Sequence, residues 1–244
     1  LKAADELGYV RNETARTLVS GKAHAIGVLL TSMENAFFAP MLNEMSTIGD
    51  ARGYSLSTSF SFWDTERETR RLKSFCGRRY DGIIWVPSTS TDERFARNIE
   101  LIESMNIPYA LLGTNEPLTS AKCCQVRVDN KQALTLGVDY LLALGHAQTG
   151  IATATTSGGR RGELHQARLK QIQTAAKTRG MRISEEFIFD TSDNAYGGVE
   201  LAKRVVNIPK AQRPTAIFAA DDMLARGLIA GLTCLDVNVP PEIS

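Results

Sequence analysis

Short, continuously apolar runs recur along the chain, each followed by a longer stretch whose apolar residues fall at helical spacing. Ala25–Leu30 (AIGVLL), Gly82–Val86, Tyr109–Leu112, Cys124–Val128, Gly150–Thr153, Phe187–Phe189 and Ala216–Ala219 read as strands. Runs that are apolar at nearly every position, not at alternate ones, suit a parallel sheet covered by helices on both faces. Helices are predicted over Phe37–Arg52, Glu66–Cys76, Asp92–Met105, Lys131–Leu144, Glu163–Arg179, Ala195–Val206 and Met223–Leu232. Gly53, Gly77, Gly145 and Gly180 stand at or just past the ends of helices, where a left-handed cap favours glycine. Regular strand–helix alternation implies right-handed βαβ units and an α/β fold with doubly wound parallel sheets. The alternation restarts near Asp129, so two similar-sized lobes with a cleft between them are expected, with ligand at the carboxyl ends of the strands.

The first residues break this rhythm. Leu1–Leu7 reads as a short amphipathic helix stopped by Gly8, and Asn12 can cap a second one, Glu13–Leu18, ended by Ser20-Gly21-Lys22. Neither piece carries enough apolar surface to stand alone. At the other end Pro240–Ser244 leads toward a further strand. The chain is therefore expected to begin inside another domain and to be truncated at both ends.

Composition narrows the class. Of 244 residues, 43% are hydrophobic and 23% charged, the balance of a chain that folds around a core. Lys+Arg 28 against Asp+Glu 27 gives a net charge of +1, which excludes nucleic-acid binding through overall basicity but not a local contact. No window approaches the ~18 consecutive apolar residues of a membrane span. No basic-then-apolar leader precedes the fold. Cys76, Cys123, Cys124 and Cys234 show no disulfide rhythm, which suggests buried thiols and a reducing, cytoplasmic setting.

Enzyme signatures are missing. There is no G-x-S-x-G elbow, H-E-x-x-H pair, Walker loop or paired C-x-x-C, and no metal or cofactor is expected. Cys123 and Cys124 are adjacent on a strand and point to opposite faces, so they read as small core residues. His146 follows Gly145 at a helix end, where an imidazole can meet the last carbonyls. Gly158–Gly162, with Arg160 and Arg161, can cradle an anion or be a surface loop. Arg168 lies one to two turns into the next helix beside Leu169 and Ile172, as a structural ion pair or a ligand contact. Phe37 and Phe38 open a helix on the cleft side and serve as an aromatic wall or as core. Asp221 and Asp222 hold the matching place in the second lobe, where a carboxylate caps a helix or accepts from ligand hydroxyls.

The run Asp5-Glu6-Leu7-Gly8-Tyr9-Val10-Arg11-Asn12, then Ala15-Arg16-Thr17-Leu18, resembles the junction of LacI-type (lactose-repressor family) transcription regulators. Further matches follow in family order: Ile26–Leu30, Asn35–Ala39, Arg52-Gly53-Tyr54, Asp81–Ile84, Val128-Asp129-Asn130, Leu144-Gly145-His146 and Arg213–Asp222. The resemblance implies an operator-reading headpiece, a hinge helix, and a homodimeric, two-lobed, periplasmic-binding-protein-like core that senses a sugar, polyol or sugar acid. Residues 1–22 would be the end of the headpiece and the hinge, 23–129 the N-terminal lobe and 130–244 the C-terminal lobe. In the hinge, Asn12, Ala15, Arg16 and Leu18 would meet operator DNA, with Leu18 the minor-groove wedge. Phe37, Phe38, Arg168 and Asp221 match effector-site positions, and Asp193 falls where an aromatic often stacks. Departures are Arg11 for the usual Pro, Gly113 for a polar residue, and Asp221 for Asn. The competing reading is a transporter's periplasmic-type sugar-binding protein, which shares the core fold; the hinge-like segment argues against it.

Overall fold

The structure, a computed structural model, describes residues 21–33, 36–114, 117–155 and 162–244. The hinge candidates Asn12, Ala15, Arg16 and Leu18, with Gly158–Arg161, lie outside the described residues. The chain divides into two compact units, which meet in sequence between Arg127 and Val128.

Unit 1 contains β1 (Ala25–Leu30), α1 (Phe38–Ala51), β2 (Ser55–Phe60), α2 (Thr65–Gly77), β3 (Gly82–Trp85), α3 (Glu93–Ser104), β4 (Tyr109–Leu112) and β5 (Cys123–Val126). The strands form a parallel sheet in the order β2-β1-β3-β4-β5. The unbroken apolar run of β1 follows from its two covered faces. Val28 and Leu30 pack with Phe38, Met41 and Leu42 of α1, while Leu29 packs with Leu72 and Phe75 of α2 and Ile99 and Ile102 of α3. Full burial of each such side chain contributes roughly 1.5–3 kcal/mol.

One strand departs from the sequence expectation. β2 reads SLSTSF and was not expected as a strand. It is an edge strand, paired only with β1, and its serines and threonine are exposed or half-buried. An edge strand keeps one hydrogen-bonding side and much of its surface in water, so an apolar run is not required.

Unit 2 contains α4 (Asn130–Ala143), β6 (Thr149–Thr155), α5 (Glu163–Thr178), β7 (Ile188–Ser192), α6 (Ala195–Val206), β8 (Ala216–Ala219) and α7 (Asp222–Cys234). Its parallel sheet runs β7-β6-β8. Ile151 faces α4 and α5 through Leu134, Val138, Leu169 and Ile172; Ala152 faces α6 and α7 through Leu201, Val205, Leu224 and Leu228. Phe187, expected to start a strand, closes a short 3-10 turn, and the strand begins at Ile188.

Glycines set how closely α6 and α7 approach. A Cβ on Gly227 would fall inside the Ala195 backbone, and one on Gly198 would meet the Leu224 carbonyl and the Leu228 amide. Backbone therefore lies against backbone, and the amino ends of the two helices are held side by side.

Among the predicted caps, Gly53, Gly145 and Gly180 take positive φ, whereas Gly77 does not. α2 runs through Gly77, and the left-handed residue is Arg79, with φ 54°. Only Cys76 has a buried thiol; Cys123 is half-buried, and Cys124 and Cys234 are exposed. The strand pleat explains the Cys123–Cys124 difference. His146 Nδ1 lies 3.0 Å from Thr215 Oγ1, so its ring meets the loop before β8 in place of the carbonyls expected at the helix end. Among the described residues no helix is long and apolar enough to cross a membrane.

Candidate functional site

At the carboxyl edge of the unit 2 sheet three helices begin, and their first turns bring together residues far apart in sequence. Gly162 precedes α5 without a side-chain cap. Asn194 caps α6 by accepting from the Gly197 amide, and Asp221 caps α7 by accepting from the Leu224 amide at 2.8 Å. Asp193 and Asp221 thus sit at the amino ends of adjacent helices, where free amides and the helix dipole favour negative charge.

Arg168 reaches across from α5. Its Nη1 donates to the Ala220 carbonyl at 2.9 Å, just past the end of β8. Burial pulls its guanidinium below the ordinary value, opposed by Asp221, Asp193 and Asp222 in that order. One N–H of the fork is thereby committed to backbone.

His165, one turn before Arg168 on the same helix, is 5% exposed. Its Nε2 lies 3.6 Å from Asp193 Oδ2. Burial alone pushes the Asp193 carboxyl up, but His165, then Asp221 and Arg168, outweigh it and hold Asp193 below its usual value. Asp221 goes the other way: burial raises it, and the Asp193 charge adds to the rise against the Leu224 amide. The two carboxyls therefore titrate apart, with Asp193 the ionised member and Asp221 the one that takes a proton first.

Several buried polar atoms here have no protein partner: His165 Nδ1, Thr153 Oγ1 and Asp221 Oδ2. Thr153 is 1% exposed and, two residues on from Ile151, shares its face of β6 toward α5. Unpaired buried polar atoms each cost about 1–3 kcal/mol, and clustered ones mark a place built for something else to fill. His165 and Thr153 were not singled out by sequence reasoning. The readable signal was the three-residue spacing of His165 and Arg168, which puts both on one side of α5.

Unit 1 presents its own carboxyl edge. The two aromatics expected there part company. Phe37 is 64% exposed, while Phe38 is 8% exposed and packs on Val28 and Leu30, so the expected aromatic wall reduces to Phe37. Their rings meet edge-on, 5.6 Å apart. Gly113 has φ +75°, a conformation that turns the chain after β4 and favours glycine. Beside these, Glu68 of α2 is 1% exposed. It accepts from the Ser88 amide at 2.7 Å and the Ser88 hydroxyl at 2.8 Å, and Ser88 Oγ lies 3.0 Å from Ser61 Oγ. Burial raises the Glu68 carboxyl above its usual value, against the Ser88 bonds. Among the described residues no cluster of His, Cys, Asp or Glu could hold a metal ion.

Parallel α/β units with polar groups gathered at the carboxyl edge of the sheet define a periplasmic-binding-protein-like core, and residues 138–244 match the periplasmic binding protein-like domain. The chain is 25% identical over 243 residues to catabolite control protein A of Priestia megaterium, covering 100% of this chain and 70% of that one. It is 26% identical over 244 residues to the HTH-type transcriptional repressor PurR of Vibrio vulnificus, covering 100% and 70%. A LacI family transcriptional regulator from Lactobacillus casei, solved with bound glucose, shares the fold with a TM-score of 0.78 at 23% identity, covering 90% of this chain and 78% of that one. Along its whole length the chain is thus similar to transcriptional regulators of this kind, and it shares the fold of a LacI family core.

Proposed function

We propose that this core senses a small polyhydroxy effector (a sugar, polyol or sugar acid), and that binding shifts the affinity of a homodimer for operator DNA. The observation that carries this reading is the group of buried, unpartnered polar atoms beside Arg168 at the carboxyl edge of unit 2. Arg168, Asp193 and Asp221 act from unit 2, and Phe37 offers exposed aromatic surface on the corresponding edge of unit 1. The protein acts by differential binding to two states and catalyses no reaction. Residues 1–22 are assigned to the end of the headpiece and the hinge, 23–129 and 130–244 to the two lobes. Asn12, Ala15, Arg16 and Leu18 contact DNA, and the setting is cytoplasmic.

A thermal-shift panel of sugars, polyols, sugar acids, purines and amino acids tests the effector class. A true effector at ~100 times its dissociation constant stabilises the folded state by roughly 2.7 kcal/mol. Arg168→Lys should keep its fold but bind the hit about ten- to a hundred-fold more weakly, since an ammonium does not reproduce the guanidinium fork. The class is wrong if only purines or amino acids shift the melting temperature.

A further inference from the structure

We infer that unit 2 takes its effector donor-first: hydroxyl or ammonium hydrogens go to His165 Nδ1 and Asp221 Oδ2 and an oxygen goes to Arg168, so neutral polyhydroxy and amino-sugar molecules are accepted and sugar acids and sugar phosphates are turned away. This rests on the effector reading above and narrows it to one chemical class.

The geometry begins at His165. Its Nε2 faces the Asp193 carboxylate at 3.6 Å, and in the neutral ring such a neighbour favours the tautomer with its hydrogen on Nε2. Nδ1 is then a lone-pair acceptor in a residue only 5% exposed, and no donor reaches it. Asp221 Oδ1 is spent on the Leu224 amide, while Oδ2 is buried without a donor. Thr153 Oγ1, in the layer between β6 and α5 where His165 also lies, can give or accept one hydrogen bond.

The charges are one-sided. Two acceptors lack donors and one hydroxyl is indifferent, while the Arg168 guanidinium, with one N–H committed to Ala220, stands against the three carboxyls of Asp221, Asp193 and Asp222. A sugar hydroxyl suits such a site because it gives a hydrogen to a carboxylate while its oxygen accepts from the guanidinium. An ammonium supplies three hydrogens. A carboxylate or phosphate supplies none in its ionised form, and it would face Asp193, Asp221 and Asp222, the groups whose charge Arg168 already feels. A buried anion among carboxylates lacks the pairing that makes its desolvation tolerable.

His165 is the specificity-determining residue, and two near-isosteres divide its roles. Asparagine places its amide oxygen about where Nδ1 was; glutamine places its amide about where Nε2 was. The test uses the whole protein and titrates glucose, ribose, inositol, glucosamine, gluconate and glucose 6-phosphate by calorimetry. At least one neutral or amino member should bind, with gluconate and glucose 6-phosphate at least about ten-fold weaker. His165→Gln should lose about ten-fold in affinity for that member at an unchanged melting temperature, and His165→Asn should recover part of it. Preferred binding of gluconate or glucose 6-phosphate overturns the inference and leaves the polyhydroxy-effector reading standing. Wild-type affinity in His165→Gln overturns it too. If none of the six binds while a purine or amino acid does, both readings fall together.

Discussion

Replacing Gly227 by alanine should destabilise the protein and, on the proposed effector reading, weaken effector binding at once, because it parts two helices that carry site residues. In an exposed helix interior this change stabilises, by roughly 0.8–1.0 kcal/mol of helix propensity. Here the new methyl would fall inside the backbone of Ala195, where no side chain can swing aside. Only a separation of α6 and α7 relieves the overlap, and overpacking of that sort typically costs 1–3 kcal/mol or somewhat more. The cost exceeds the propensity gain, so a net loss on the order of 1–2 kcal/mol is expected. For a domain of this size that lowers the melting temperature by several degrees. Gly77→Ala is the control: Gly77 ends α2 without positive φ and nothing lies within 4 Å of its Cβ position, so that variant should be as stable as the parent or slightly more so. Ala195 is two residues from Asp193, and Asp221 caps α7, so separating the helices also pulls the two carboxyls apart. Calorimetric melting of both variants, with effector titration of Gly227→Ala, reads the two consequences together. Equal melting temperatures for the two variants would refute backbone contact as the reason for glycine at position 227.

Glu68→Gln should change the pH dependence of unit 1. A carboxyl raised by burial contributes stability that is fully present below its unfolded pKa and lost as pH rises through the folded one. The glutamine variant lacks that loss, so its stability relative to wild type should grow between pH 4 and pH 7 in urea titrations; a constant difference would count against a raised carboxyl. On the proposed hinge assignment, Leu18→Ala in the full-length protein should weaken operator binding in a gel-shift titration at fixed salt, and equal affinity would overturn that assignment.

Most of the architecture was legible because both sheets are parallel and covered on two faces. Val28, Leu29 and Leu30 must all be apolar when alternate residues feed different helices, and the same logic exposes the other central strands. β2 escaped because an edge strand with SLSTSF need not be apolar, and only its pairing with β1 makes it a strand. The site was half legible. Arg168 and Asp221 stood out by type and place and Asp193 only through the family resemblance, but the His165–Asp193 pair joins residues from different βα units, and no local spacing encodes that approach. Phe37 and Phe38 were indistinguishable by type; helix phase alone sends Phe38 into the core. Gly198 and Gly227 lie inside helices with no local signal for their role, and only the partner helix reveals them as the seam.

The buried acid of unit 1 also has a consequence for motion. Ser88 lies in the connection after β3, where an amide would ordinarily exchange its hydrogen with water quickly. That amide instead points into Glu68, while the Ser88 hydroxyl reaches Glu68 and the Ser61 side chain, which itself donates to the Leu30 carbonyl. The end of β1 and the connections after β2 and β3 are thus tied to one carboxyl. Deuterium should enter the Ser88 amide as slowly as it enters the strands, and this rim should open as a single unit rather than loop by loop.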